Sequence, residues 1–454
     1  MNFNFEILKK KFETGFKWNI TGSIFYEFLK ISHQLILFKN LGISRYGQLG
    51  IIFSIIYLTI HIFSFAAGIT LPAFVQDFTH SKKNFIRHAL PYFLLQIPLL
   101  ITGSFLCIYL LSKKFTISTS LNFAIPFFLI LLEGVRMLLR TFLHNVFINK
   151  FTIICETILM LFYFSSIWIP FYFFGHKLSL NFILTPYLIT SCIAVILFVT
   201  MLIKFYCSLP NKKYKSSPNL LKRIAKNRFF NYSTQLSEYF FCGNFLVPFF
   251  ALKFGNAYAA VLKLASYLAD AIKGIIHVSV GFSGGALFAA IKNTDFKTKL
   301  AAFYELSGKL YKILFFTLVL LTLNYQTLAR FTAKDTQPQF ILGLIAIFLL
   351  FLFSKHIFLA YEQFYIVEER TAKLFLFKAL EIVMFLCAIH LSSHFSLFIT
   401  LLNLIIVRII SFVIIATHAY ATWKIKPGFR INFKFIITSF FSAYALRTVA
   451  NFLR

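Results

Sequence analysis

The sequence predicts an all-α integral membrane protein, with about twelve transmembrane helices arranged as two parallel six-helix repeats. Three observations predict it: an apolar composition, apolar runs of bilayer length, and an uneven distribution of basic residues. Of 454 residues, 59% are hydrophobic, 19% are aromatic and only 13% are charged, and the mean hydropathy is +0.78. Water-soluble domains of this length do not carry such an excess. The formal net charge of +30 raises the question of nucleic acid. Here, however, Lys and Arg punctuate apolar segments rather than forming a patch on a soluble fold, so the charge is topological and no nucleic-acid partner is expected.

Apolar segments of roughly 20 residues, enough for a helix to cross the hydrocarbon layer, recur in order. Six of them, 17–38, 48–71, 90–111, 118–139, 151–174 and 180–206, precede a basic stretch. Six more, 229–252, 258–282, 311–329, 339–360, 374–392 and 396–420, follow it. The dividing stretch 208–228, SLPNKKYKSSPNLLKRIAKNR, holds seven basic residues and no acidic one. A loop this basic stays cytoplasmic, held by anionic headgroups.

That assignment fixes the rest. The N-terminal end, 73–89, 140–150, 207–228, 290–312, 361–373 and 421–434 fall on the cytoplasmic side with 27 Lys and Arg, whereas the opposite loops hold 8. Both termini are therefore expected in the cytoplasm, and anionic lipids among the partners. The domains expected are an N-terminal bundle over 1–207, the linker 208–228, a C-terminal bundle over 229–420 and a basic tail over 421–454. In that tail Arg447 interrupts the apolar run, which favours a helix lying in the interface over a thirteenth span. The start, MNFNFEILKKKFETGFKWN, lacks the apolar core and cleavage site of a signal peptide and reads as a retained cytoplasmic end. The six cysteines are scattered without paired spacing, so they read as small core residues. Trp18, Trp168 and Trp423 lie near span ends and read as interfacial anchors, and the abundant Phe reads as lipid-facing bulk.

An internal repeat supports the six-plus-six count. Asn19 and Thr21 correspond to Asn231 and Ser233, Glu27 falls near Glu238, Leu41, Gly42 and Tyr46 match Phe254, Gly255 and Tyr258, and Gly68 matches Gly281. Halves with an even number of spans start on the same side and form parallel repeats, with a transport pathway expected at their seam. Trp18 and Asn19, a polar-studded first span, then Leu41, Gly42, Ile43, Ser44, Arg45, Tyr46 and Gly47 entering the second resemble the polysaccharide exporters of the multidrug/oligosaccharidyl-lipid/polysaccharide (MOP) superfamily. The resemblance implies a V-shaped bundle that moves a polyprenyl-pyrophosphate-linked oligosaccharide from the cytoplasmic to the periplasmic leaflet, beside other polysaccharide-assembly membrane proteins. The related peptidoglycan-precursor flippases often have fourteen spans, and the twelve here count against them.

Charges inside spans are costly and mark pathways or internal pairs. In the eighth span Lys263, Asp270, Lys273 and His277 share a face; they form part of a cationic cavity for the pyrophosphate, or Asp270 and Lys273 pair to fix packing. Glu133, Arg136 and Arg140 share a face of the fourth, where the planar fork of Arg136 suits a phosphate and Arg140 snorkels. In the first span Lys30 serves as a ligand for the anion or as the partner of Glu27. Arg408 has no acid within a turn, so its partner is another helix or a ligand. Lys355 and His356 lie where snorkelling is the default. The substrate-binding candidates are therefore Lys30, Arg136, Lys263, Lys273 and Arg408. Glu27, Glu133, Glu238 and Asp270 are candidates for coupling to a proton or sodium gradient, with Glu156 and Glu381 as structural partners of the cations or further coupling groups. No other cofactor and no metal site is expected.

Other functions fit less well. A drug or organic-cation antiporter of the same fold prefers acidic cavity residues, and the spans hold the reverse. A glycan polymerase, ligase or acyltransferase needs an outer loop large enough for catalytic groups, and the longest here is about nine residues; nucleotide-binding glycine motifs and Ser/His/Asp arrangements are also missing. Replacing Lys212, Lys213 and Lys215 by Glu is expected to disturb topology or lipid contact more than transport. Cysteine accessibility from each side reads this, and a transport defect with unaltered topology counts against the topological role.

Overall fold

The computed structural model describes residues 5–65, 96–115, 121–145, 149–209, 220–276, 295–332, 338–368, 370–392 and 395–426, with the single positions 83, 86, 87, 94 and 439. Among them the chain forms thirteen α-helices and no strand. In order these are α1 Phe5–Phe63, α2 Gln96–Lys113, α3 Ala124–Asn145, α4 Asn149–Phe174, α5 Leu180–Ser208, α6 Leu220–Phe240 and α7 Gly243–Phe254. They continue with α8 Asn256–Ile276, α9 Phe296–Thr332, α10 Pro338–Ser354, α11 Leu359–Val367, α12 Thr371–Leu391 and α13 Leu397–Trp423; a 3₁₀ turn, Lys355–Phe358, joins α10 to α11. Helices are what hydrocarbon demands, because each satisfies its own backbone without water.

Six of the described stretches are long and apolar enough to cross a bilayer: Ile24–Phe63, Gln96–Lys113, Phe151–Phe174, Leu180–Ser208, Ala372–Leu391 and Leu397–Trp423. The first of these overlaps two of the expected spans, 17–38 and 48–71. α3 and α8 have spanning length at 22 and 21 residues but carry three charges each, and all of these but Arg140 are candidate site residues. Large apolar side chains cover the outer faces, with Phe173 80%, Phe105 63% and Leu376 63% exposed, as lipid-facing residues must be.

Several boundaries differ from those expected. Where the outer loop is expected at 39–47, two helical stretches meet across a kink at Gly42, which alone leaves helical geometry (φ 75°, ψ 162°). A single glycine makes this turn because it lacks the Cβ that bars other residues from it. Gly255, its counterpart in the repeat, also has positive φ, 95°, and separates α7 from α8. The expected span 229–252 is two helices broken at 241–242, and α6 begins at Leu220, inside the basic stretch. α9 starts at Phe296, well before the expected 311, and runs for 37 residues. The tail beyond 426, apart from Ser439, and the Gly68 and Gly281 pair lie outside the described residues.

Two compact units emerge. Unit 1 comprises Met1–His33, Ser44–Tyr239 and Asn244–Gly255; unit 2 comprises Gln34–Ile43, Phe240–Gly243 and Asn256–Arg454. Unit 1 therefore includes α6, which the sequence repeat places at the start of the second half. In unit 1, α3 packs along α5 and α2, and α4 along α5. Small residues bring these helices close: a Cβ on Gly134 would lie 2.6 Å from Leu100 Cδ1. Unit 2 packs α8 on α10 and α12 on α13, with α10 also against α9 and α13. Its largest described core gathers Phe303, Leu310, Tyr361, Phe364, Tyr365 and Ile415. Trp423 packs against that core and Trp168 is 4% exposed, so these two are packing residues rather than interfacial anchors.

Serine side chains close the starts of two spans. Ser179 Oγ accepts from Phe182 N at 3.1 Å ahead of α5, and Ser396 Oγ accepts from Ile399 N at 3.5 Å ahead of α13. Gly42→Ala is expected to destabilise the protein by about 1–3 kcal/mol, since this corner of backbone space is nearly exclusive to glycine. Gly308→Ala, on α9 with open space around it, should be neutral or stabilising by up to about 1 kcal/mol. Thermal unfolding midpoints in one detergent compare the two.

Candidate functional site

The charged residues singled out from the sequence lie on helices, and within each unit the structure gathers most of them into buried networks. In unit 1 the centre is Arg136 on α3, 8% exposed. Its Nη1 donates to Glu133 Oε1, one turn earlier, at 2.8 Å. The other edge of the fork meets Glu156 on α4: Nε donates to Oε1 at 3.1 Å and Nη2 donates to Oε2. Ser191 on α5 also donates to Glu133 Oε1, so three helices meet on this ion cluster. Glu133 and Glu156 are 4% and 5% exposed. Two carboxylates share one guanidinium. Bidentate pairing of this kind is the strong form of the interaction and fixes both partners.

The first span behaves similarly. Lys30 Nζ lies 3.1 Å from Glu27 Oε2, the internal pairing weighed above. One turn further along, His33 is fully buried and Trp168 Nε1 on α4 donates to its Nδ1 at 3.0 Å; the Tyr163 ring lies 4.8 Å away. The hydroxyls of Tyr57 and Tyr187 are hydrogen-bonded to each other. Sequence reasoning passed over this polar row because its members are far apart in the chain and aromatic, and only the run His33–Gln34 amid apolar residues hinted at it.

Unit 2 holds a second network. Arg408 on α13, 1% exposed, donates from Nη1 to Glu381 Oε1 on α12 at 2.6 Å. Lys378 Nζ lies 2.6 Å from Glu362 Oε1 and 3.6 Å from Glu381 Oε2. The Arg408 guanidinium stacks over the Phe241 ring, 3.8 Å from its centroid. The partner of Arg408 is thus another helix, one of the two alternatives left open by the sequence.

Lys263 on α8 stands apart from these pairs. It is 2% exposed and its Nζ lies over the Tyr267 ring, 4.7 Å from the centroid. Asp270 follows two turns later on the same face and is half-buried, and Lys273 lies one turn beyond it on the helix. Glu238, on α6, is half-buried. His277 lies outside the described residues, as do the side chains of Lys273, Lys355 and His356. The structure therefore joins Glu27 with Lys30 and Glu133 with Arg136, adds Glu156 and Glu381 as the cross-helix partners, and leaves Lys263 and Asp270 on a separate face of α8.

No protein-family model and no curated protein sequence matches the chain at a significant level. Solved structures do. A lipid II flippase, MurJ, in an inward closed conformation superposes with a TM-score of 0.65 at 14% identity, covering 94% of this chain and 91% of that one. A MATE protein in complex with MaL6 gives 0.64 at 12% identity, covering 90% and 97%. A MOP superfamily transporter from Pyrococcus furiosus, described by a binding pocket of reverse polarity, gives 0.57 at 11% identity, covering 95% and 96%.

Arg136→Ala is expected to destabilise the protein by about 3–5 kcal/mol, because it strands two buried carboxylates. Adding Glu156→Ala to Arg136→Ala should recover part of that loss, and chemical-denaturation curves in detergent measure both. With its helical spans and full-length superposition, the chain is a multi-pass membrane protein with the all-α, twelve-helix fold of the MOP-superfamily transporters.

Proposed function

We propose that the protein is a flippase that carries a polyprenyl-pyrophosphate-linked oligosaccharide from the cytoplasmic to the periplasmic leaflet of the bacterial inner membrane, for surface polysaccharide of the O-antigen type. One observation carries this reading. The α8 face bears Lys263 and Lys273 against a single acid, Asp270, and Lys263 is buried. Two lysines to one acid along a membrane helix offer cations of the kind that a desolvated pyrophosphate requires. Lys263 and Lys273 are accordingly the residues assigned to the anion. Lys30, Arg136 and Arg408 hold carboxylates instead, and they position the helices around the path.

Coupling to a proton or sodium gradient is assigned to Glu133, a buried carboxylate that Arg136 and Ser191 both contact; Glu27, Glu238 and Asp270 remain the other coupling candidates. The likeness to a solved multidrug resistance transporter of the MATE family favours a second reading, an antiporter of organic cations. Both readings place the protein among transporters and not among enzymes, with lipid-linked glycan or an organic cation as cargo, anionic lipids at the basic surfaces and other polysaccharide-assembly membrane proteins as neighbours.

Leaflet-resolved measurement of polyprenyl-linked glycan in cells with the gene deleted and then restored tests the proposal. Accumulation on the cytoplasmic face with loss of surface glycan is expected, and Lys263→Ala should fail to restore export while still inserting in the membrane. Periplasmic accumulation of unpolymerised units would instead indicate a glycan polymerase or ligase. Normal glycan together with lost efflux of lipophilic cations would indicate the antiporter.

A further inference from the structure

The basic stretch contains one residue that does more than orient the chain. Arg228, on α6, is 5% exposed. Its Nε donates to the Phe65 carbonyl at 2.8 Å and its Nη2 to the Ser64 carbonyl at 3.2 Å. Gln96 on α2 donates to the same Ser64 carbonyl. These carbonyls close the C-terminal end of α1, where the last groups of a helix have no partner within it and a cation is favoured by the dipole. Phe65 itself takes up a left-handed conformation, φ 49°, uncommon for a bulky side chain. Its ring stacks on Tyr232 of α6, with centroids 4.2 Å apart and planes 20° apart. Further along, Tyr239 of α6 stacks on His61 of α1 at 5.7 Å.

We infer that Arg228, Phe65 and Tyr232 form a releasable latch between α6 and the end of α1, and that its opening is a step in the conformational cycle of this transporter fold. Four features make it releasable rather than a permanent weld. The contact is made of a guanidinium, free helix-end carbonyls and stacked rings, and water or a headgroup can replace each of these partners. Opening also frees Phe65 to leave its left-handed conformation. α6 bears exposed Lys222 and Lys226 and an exposed Phe229, so this part of it is not held by a continuous apolar face. The break at 241–242 gives α6 a hinge separate from α7.

The test uses the full chain with its six native cysteines replaced. In a Ser64→Cys variant, the thiol beside the latch is labelled slowly by a soluble maleimide. Adding Arg228→Ala is expected to raise the labelling rate at least about five-fold, with Arg228→Lys intermediate, since losing the clamp shifts the population towards the open form. Equal rates in all three overturn the latch, and Arg228→Lys alone decides if Arg228→Ala does not accumulate. A second arm distinguishes a latch from a weld. Phe65→Cys with Tyr232→Cys is bridged by a short, reducible bis-thiol reagent, and surface glycan export should fall at least about ten-fold and return on reduction. A control bridge between Phe105→Cys and Phe127→Cys, on α2 and α3, should leave export unchanged. Full export with the latch bridged overturns the proposal. If gene deletion leaves surface glycan intact, the flippase reading fails while the labelling arm still reports the latch.

Discussion

A charge on a helix inside hydrocarbon has no water to turn to, and the described helices are placed so that the charges they carry find one another. Arg136 illustrates the constraint: one guanidinium is divided between its own helix and the next, and Ser191 brings a third helix to the same carboxylate. The Arg408, Glu381, Lys378 and Glu362 network does the same in unit 2, and its guanidinium also stacks over Phe241. Desolvation makes such pairs poor sources of net stability, yet separating them is expensive. Their contribution is therefore to dictate which helices are neighbours and in what register, where apolar packing against lipid alone would leave many arrangements nearly equal.

The face of α8 follows a different rule. Lys263 is buried over an aromatic ring, and its face offers lysines in excess of acid. Basic groups in a low-dielectric setting are suited to a guest of opposite sign. The flippase proposal accordingly assigns this face to the anion, while the ion clusters hold the helices.

Much of this was legible in the sequence. Apolar runs of bilayer length located most helices, and the i, i+3 spacing of Glu27 with Lys30 and of Glu133 with Arg136 anticipated real ion pairs, since one turn of helix sets their distance. Glu156 and Glu381 were legible as partners of the cations, but which cation each one meets was not. They lie 20 and 27 positions from the arginines they bind, and helix rotation, not spacing, brings them together. Boundaries failed where composition and conformation part company. Lys222, Lys226 and Arg228 look like a loop by charge but lie on a helix, and the polar run around Gly42 looks like a loop although one glycine suffices for the turn. Trp168 misled because proximity to a span end says nothing of which face a ring occupies.

α9 has the most mechanical consequence. At 37 residues and about 1.5 Å per residue it measures roughly 55 Å, against a hydrocarbon layer of about 30 Å. Its first half carries Lys297, Lys299 and Lys312 and is gripped at Phe303 by aromatic residues of α11, with Lys299 paired to Glu368. The excess of roughly 25 Å is taken up by tilt or by extension beyond the hydrocarbon, and the contacts at Phe303 and Lys299 tie its first half to α11 and Glu368 so that this part moves with them.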